Sequence, residues 1–129
     1  MITLDDYLMG RQSQYAEELS DNNVIEHATV LLEQVNGFLS ALNLKAKVRS
    51  GWRPKEINQR VGGSLGSYHI VGRAIDLSDN SGCLKKVIET QSSLLRTFNL
   101  WMEHPSKTPT WCHLDNGTRR DRLTRIFLP

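Results

Sequence analysis

Between residues 22 and 43 the chain carries Val24, Ala28, Leu31, Leu32, Val35, Phe38, Leu39 and Leu42 at the spacing of a helix with one apolar face. A stripe of that length constrains the fold more than any other feature, because it must be covered and the rest of the chain has to cover it. The helix is predicted over about Asn22 to Asn43, with Ser20 or Asp21 as its cap. A chain of 129 residues, 39% of them hydrophobic, can build one core and has no room for a second. Residues 1–129 are therefore read as a single domain with at most one active site.

Shorter signals of both kinds surround this helix. Thr3 can cap a helix from Leu4 towards Gly10, and Ala46 to Trp52 reads as a strand. Arg53-Pro54 opens another helix, which stops at Gly62-Gly63. Arg73 to Ser78 reads as a second strand, followed by a helix from about Gly82 to Thr97 that buries Leu84, Val87, Ile88, Leu94 and Leu95. Asn99 to His104 and Thr110 to Leu114 form a hairpin across PSKTP, whose two prolines discourage continued pairing. Ile126 to Leu128 is either an edge strand or a packed tail. The expected class is α+β, a central antiparallel sheet with helices packed on one side.

Charge and cysteine usage narrow the partners. The net charge is only +2, and the cluster Arg119, Arg120, Arg122 and Arg125 reads as a solvated face, so no nucleic-acid partner is expected. Cys83 and Cys112 make no disulfide framework and lack the paired spacing of a structural zinc site. The segment MITLDDYLMGR has acidic residues where a signal peptide needs a basic start, and no stretch reaches membrane-spanning length. The expectation is a monomer made in the cytoplasm.

The chemistry concentrates in SYHIVGRAID, Ser67 to Asp76, and in Trp111-Cys112-His113. His69, Asp76 and His113 are the donor set of a catalytic zinc that keeps one position open for water. Gly72 and the β-branched Ile70, Val71 and Ile75 disfavour a helix, so His69 is read on a loop and Asp76 on the strand after Gly72. Alternation then turns Ile75 and Leu77 to the core and Ala74 and Asp76 to the other face, the small alanine leaving space for metal and substrate.

The same alternation pairs Trp111 with His113 on one face and Cys112 with Leu114 on the other. A hairpin centred on Lys107 would set Glu103 opposite Trp111 and Trp101 opposite His113, bringing Glu103 within reach of the metal as general base and then general acid. Arg53 is a candidate for gripping a substrate carboxylate or a developing oxyanion. Ser67, with Ser64, is expected to hold the His69 loop and to touch substrate, and Trp111 to line the cleft.

Other residues carry plainer readings. His27 and His104 are taken as structural or solvated, and Trp52 and Trp101 as core. Gly62, Gly63 and Gly66 are turn residues, since no phosphate-cradling string occurs, and no serine has a supporting triad.

The strings SGWRP, N-x-x-VGGS, SYHIVGRAIDLS and E…TWCHLD resemble the zinc D-alanyl-D-alanine carboxypeptidase and L-alanyl-D-glutamate endopeptidase family, which includes many phage endolysins. The family pattern S-x-H-x-x-G-x-A-x-D is met at every fixed position by Ser67, His69, Gly72, Ala74 and Asp76, and the likeness spans roughly residues 48 to 115. The resemblance implies that His69, Asp76 and His113 bind Zn2+, that Arg53 contacts substrate, and that the substrate is a peptidoglycan stem peptide. It also implies delivery to the cell wall by phage-type release or as a virion component. Well-known branches have an acidic residue three positions before the last histidine, where this chain has Thr110; a related branch with a W-V-H motif assigns that role to the neighbouring strand, here Glu103.

Two other functions share the donor set. One is a zinc-binding module that keeps fold and metal without activity, motivated by Thr110. The other is a non-haem iron oxygenase, although such enzymes usually separate histidine and carboxylate by two residues rather than seven.

Overall fold

The structure, a computed structural model, describes residues 1–119 and 124–129. Thr3 caps the first helix, α1 (Leu4–Leu8): its hydroxyl accepts from the Asp6 amide, and the Asp6 carboxylate accepts from the Thr3 amide. A helix that was not anticipated, α2 (Ala16–Asp21), follows and takes up Ser20 and Asp21. Neither residue can then cap the long helix α3 (Val24–Ala41), which is entered through Asn23 at φ 50° with no side-chain cap bond. Periodicity could not reveal α2, because this short helix has no fully buried residue. The stripe on α3 is buried as expected, from Val24 and Ala28 through Phe38 and Leu39.

Five strands form one sheet in the order β1-β2-β4-β3-β5: β1 (Val48–Ser50), β2 (Ala74–Ser78), β3 (Trp101–Glu103), β4 (Trp111–Asp115) and β5 (Ile126–Phe127). Helix α4 (Lys55–Arg60) follows Pro54, while α5 (Cys83–Thr90) and α6 (Ser93–Thr97) lie between β2 and β3. The single helix expected over Gly82 to Thr97 is thus broken. Gln91 leaves helical dihedrals (φ −131°, ψ 39°), and the two serines after it favour a restart over a helix interior.

The class is α+β, with one change to the sheet. The pairs β1–β2, β2–β4 and β3–β4 are antiparallel, but β5 runs parallel to β3, with Met102 beside Ile126 and Glu103 beside Phe127. β4 already occupies one edge of β3, so a last strand directed against β4 can join only the far edge, where it lies parallel to β3. Ile126 and Phe127 are an edge strand rather than a tail.

The β3–β4 register also differs from the expected one. Trp101 pairs with Asp115 and Met102 with Leu114, two residues away from a hairpin centred on Lys107. Pro105–Lys107 forms a 3-10 turn in which the His104 side chain accepts from the Ser106 amide, and the connection continues to Thr110. The loop is therefore longer than PSKTP. Because the shift is even, every side chain keeps its predicted face.

Ile75 and Leu77 of β2, Cys112 and Leu114 of β4 and Met102 of β3 join the apolar side of α3, with Tyr7, Trp52, Leu84, Ile88 and Leu95, in one core. The opposite face of β2 and β4 is left for Asp76 and His113. Gly72 admits the chain to this face: its φ is +82°, and a Cβ there would lie 2.8 Å from the Val24 carbonyl oxygen. Among the described residues no helix is long and apolar enough to cross a membrane. Cys83 is exposed and Cys112 buried, and both are free.

Candidate metal centre

Asp76 and His113 are direct cross-strand partners of β2 and β4, which brings His113 Nδ1 to 2.9 Å from Asp76 Oδ1. His69 comes from the turn before β2, as predicted. The His69 amide donates to Ser67 Oγ at 3.2 Å, and its carbonyl accepts from the Arg53 amide at 3.1 Å. One donor atom from each of His69, Asp76 and His113 lies within 4.8 Å of the others.

The proton positions follow from the partners. His69 Nδ1 is 2.8 Å from the Gly51 carbonyl oxygen, which can only accept, so Nδ1 carries the hydrogen. Nε2 is then a bare acceptor. It is buried without a hydrogen-bond partner, although it stands at ion-pair distance, 3.3 Å, from Asp76 Oδ2. A lone pair facing a carboxylate in a buried site is the arrangement that a cation between them would satisfy. The donor set of two imidazoles and one carboxylate therefore fits zinc.

Burial pushes the pKa of His69 down and keeps its imidazole neutral, the form a metal requires. Burial also opposes charge on His113, but the carboxylates of Asp115 and Asp76 outweigh it and raise this group to about 9. For Asp76 burial favours the neutral acid, yet His69 and His113 prevail and hold it well below the usual carboxylate range.

The other expected residues gather around the trio. Arg53 is half-buried; its Nη2 lies 3.5 Å from Ser67 Oγ, and its Nε is buried with no hydrogen-bond partner. Burial lowers its pKa, while the charge of Asp76 opposes that shift. Glu103 is half-buried, and the β3–β4 register continued by one residue brings it opposite His113 rather than Trp111. Its pKa is raised chiefly by burial; the charge of His113 opposes that rise, and the carboxylates of Asp76 and Asp115 add to it. Trp111 sits on the site face with the Arg49 guanidinium over its ring at 5.2 Å. Thr110 is engaged by the same arginine, whose Nη1 reaches Thr110 Oγ1 at 2.6 Å.

The plainer readings find their places too. His27 Nδ1 is 2.7 Å from the Val71 carbonyl, tying the His69 turn to α3. His104 caps the 3-10 turn. Trp52 is fully buried with its indole donating to the Ile70 carbonyl. Trp101, read as core, is instead buried outside the main core: its pairing with Asp115 turns it to the site face, beneath the guanidinium groups of Arg119 and Arg125.

Two corrections concern residues near the C-terminus. Arg119 does not belong to a solvated face: it is half-buried and pairs with the fully buried Asp115. Arg120 and Arg122 lie outside the described residues. Asp115 itself was not singled out, although alternation from His113 sets it on the same face and His113 Nε2 is 2.7 Å from its Oδ2. Arg49 was also missed, since nothing local marks a strand arginine that reaches across β2 to β4.

Fold and cluster together define a class: a small α+β protein with a candidate mononuclear metal centre of two histidines and one carboxylate on a sheet face. Within that class the chain belongs to the peptidase M15 family, whose family model matches residues 6–115, from within α1 to the end of β4. Membership implies a hydrolase, and the matched span contains His69, Asp76, His113, Arg53, Ser67 and Glu103. Comparison with curated proteins returns no match.

Proposed function

We propose that this protein is a zinc peptidase that hydrolyses a bond of peptidoglycan stem peptides, of the D-Ala-D-Ala or L-Ala-D-Glu type. The observation that carries the proposal is the convergence of His69, Asp76 and His113 within 4.8 Å in a chain of the peptidase M15 family. In this reading those three residues hold Zn2+, which when bound activates water near neutral pH and polarises a carbonyl.

The protein's own groups divide the remaining work. Glu103, raised in pKa by burial, takes a proton from the attacking water and returns it to the leaving amine. Arg53 offers a partly desolvated guanidinium to a substrate carboxylate or to the oxygen that gains charge. Ser67 holds both the His69 amide and the Arg53 side chain in register, and Trp111 forms a wall of the cleft. The resemblance to phage endolysins supports delivery to the wall by phage-type release or as a virion component.

The test is digestion of purified peptidoglycan by zinc-loaded protein, followed by mass spectrometry of the muropeptides. A new free amine is expected, on released D-alanine for a D-Ala-D-Ala cut or on the glutamate of the stem peptide for an L-Ala-D-Glu cut, and its position identifies the bond; no release of amine would refute the proposal. A second reading, a zinc module without activity, is favoured by Thr110, which the Arg49 contact holds at the position usually acidic. Glu103→Gln separates the two. For an enzyme it lowers turnover about 10²- to 10⁴-fold with zinc retained.

A further inference from the structure

Asp115 is fully buried, carries charge, and has no part in the reaction proposed above. We propose that Asp115, clamped by Arg119, is a positioning residue that sets the tautomer and ring orientation of His113 for the metal. This inference rests on the zinc reading and deepens it.

The geometry follows from strand periodicity. His113 faces Asp76 across the strands and Asp115 along its own strand, two residues on. Its imidazole spans that corner, with Nδ1 2.9 Å from Asp76 Oδ1 and Nε2 2.7 Å from Asp115 Oδ2. A neutral imidazole ligand has one bare nitrogen and one N–H. Asp115, as a carboxylate, only accepts, so it fixes the hydrogen on Nε2 and leaves the Nδ1 lone pair towards His69 and Asp76. The Gly51 carbonyl does the same for His69 through the opposite ring nitrogen.

Asp115 is held so that it cannot turn to become a ligand itself. Oδ1 accepts from the Gly117 amide at 3.1 Å and from Arg119 Nη1, while Oδ2 accepts from Arg119 Nη2 at 2.9 Å as well as from His113. The fork satisfies both oxygens in the bidentate manner of arginine and carboxylate. Arg119 in turn lies 3.7 Å from the ring centroid of Phe127 and 5.3 Å from that of Tyr68, so aromatic faces from β5 and from the His69 turn fix the guanidinium. Arg119 and Phe127 fall outside the span that matches the family, residues 6–115. The clamp therefore draws on this chain's own C-terminal segment.

Asp115→Asn is the isosteric probe. Arg119 and Gly117 both donate to Asp115, so the amide oxygen of the variant turns to them and its NH2 group faces His113 Nε2. That forces the hydrogen onto Nδ1, where the metal should bind. The expected result is zinc affinity weakened about 10- to 100-fold in chelator competition, with a changed visible spectrum of the Co2+-substituted protein. Arg119→Met is expected to act in the same direction with smaller effect, because it frees Asp115 without removing it.

Long-range 1H–15N NMR of the zinc-loaded wild type reads the His113 tautomer directly, and decides the matter even if both variants fail to fold. A protonated Nε2 with Nδ1 on the metal supports the inference. Zinc bound through Nε2 overturns it alone, as does a folded Asp115→Asn with unchanged zinc affinity and Co2+ spectrum. A wild type that binds no zinc overturns the zinc reading with it.

Discussion

His113 stands between two carboxylates, and its proton has to leave before a metal can bind. Its group is raised to about 9 in the metal-free protein, so at neutral pH the proton is present and zinc competes with it. Zinc affinity should therefore rise about tenfold per pH unit between roughly 7 and 9 and flatten above. Chelator competition at several pH values would show this, and an affinity independent of pH in that range would contradict it. The metal-free fold responds oppositely. A histidine raised above its ordinary value of 6.5 contributes stability that is complete below that pH and lost as pH passes about 9. The melting temperature of the metal-free protein should fall over that interval, and zinc-loaded protein should not follow it. His69, whose group burial pushes down, adds nothing to this slope above neutral pH.

At the level of elements, the site depends on the register between β2 and β4, which an ion pair beside it helps to hold. Asp79, at the end of β2, accepts from the amides of Leu84 and Lys85 in the first turn of α5 and from Lys85 Nζ at 3.0 Å. Lys85 Nζ also donates to the Trp111 carbonyl of β4 at 2.8 Å, so a buried charge pair ties β2, α5 and β4 together. Asp79→Ala strips the partner from a buried ammonium and should destabilise the protein by about 3–5 kcal/mol in denaturant unfolding. Adding Lys85→Met should recover most of that loss. If the double variant is no more stable than the single one, the ion pair is not the source of the effect. The hairpin teaches a related lesson. Alternation assigned the faces of Glu103, Trp111 and His113 correctly, but the register moved by two because the 3-10 turn over Pro105–Lys107 lengthened the loop. Parity survives such a shift, whereas the identity of the facing partner does not.

For the whole molecule, the donors come from separate parts of the chain: a turn before β2, β2 itself and β4. The unfolded chain does not hold them together, so zinc binding and folding are linked. At free zinc one hundred times its Kd the folded state should gain about 2.7 kcal/mol, a rise in Tm on the order of 10 °C. Calorimetry with and without zinc tests this, and an unchanged Tm at saturating metal would contradict it. Much of this organisation was legible in the sequence. The α3 stripe, the alternation along β2 and β4 and the loop before Gly72 are local patterns, set by helix and strand periods that neighbouring residues alone express. Hence the class and the shared face of Asp76 and His113 could be read directly, as could His69 on a turn. Three other features depend on residues far apart in the chain. The β3–β4 register was decided by a turn packing against its own cap, and the parallel β5 by which sheet edge remained free. The Asp115–Arg119 clamp needed Phe127 and Tyr68 brought over one guanidinium. No period records such pairings. Sequence determined which groups face the site, because side-chain direction is a local property of the backbone; tertiary structure decided which groups touch, because contact is fixed by how distant segments share one space.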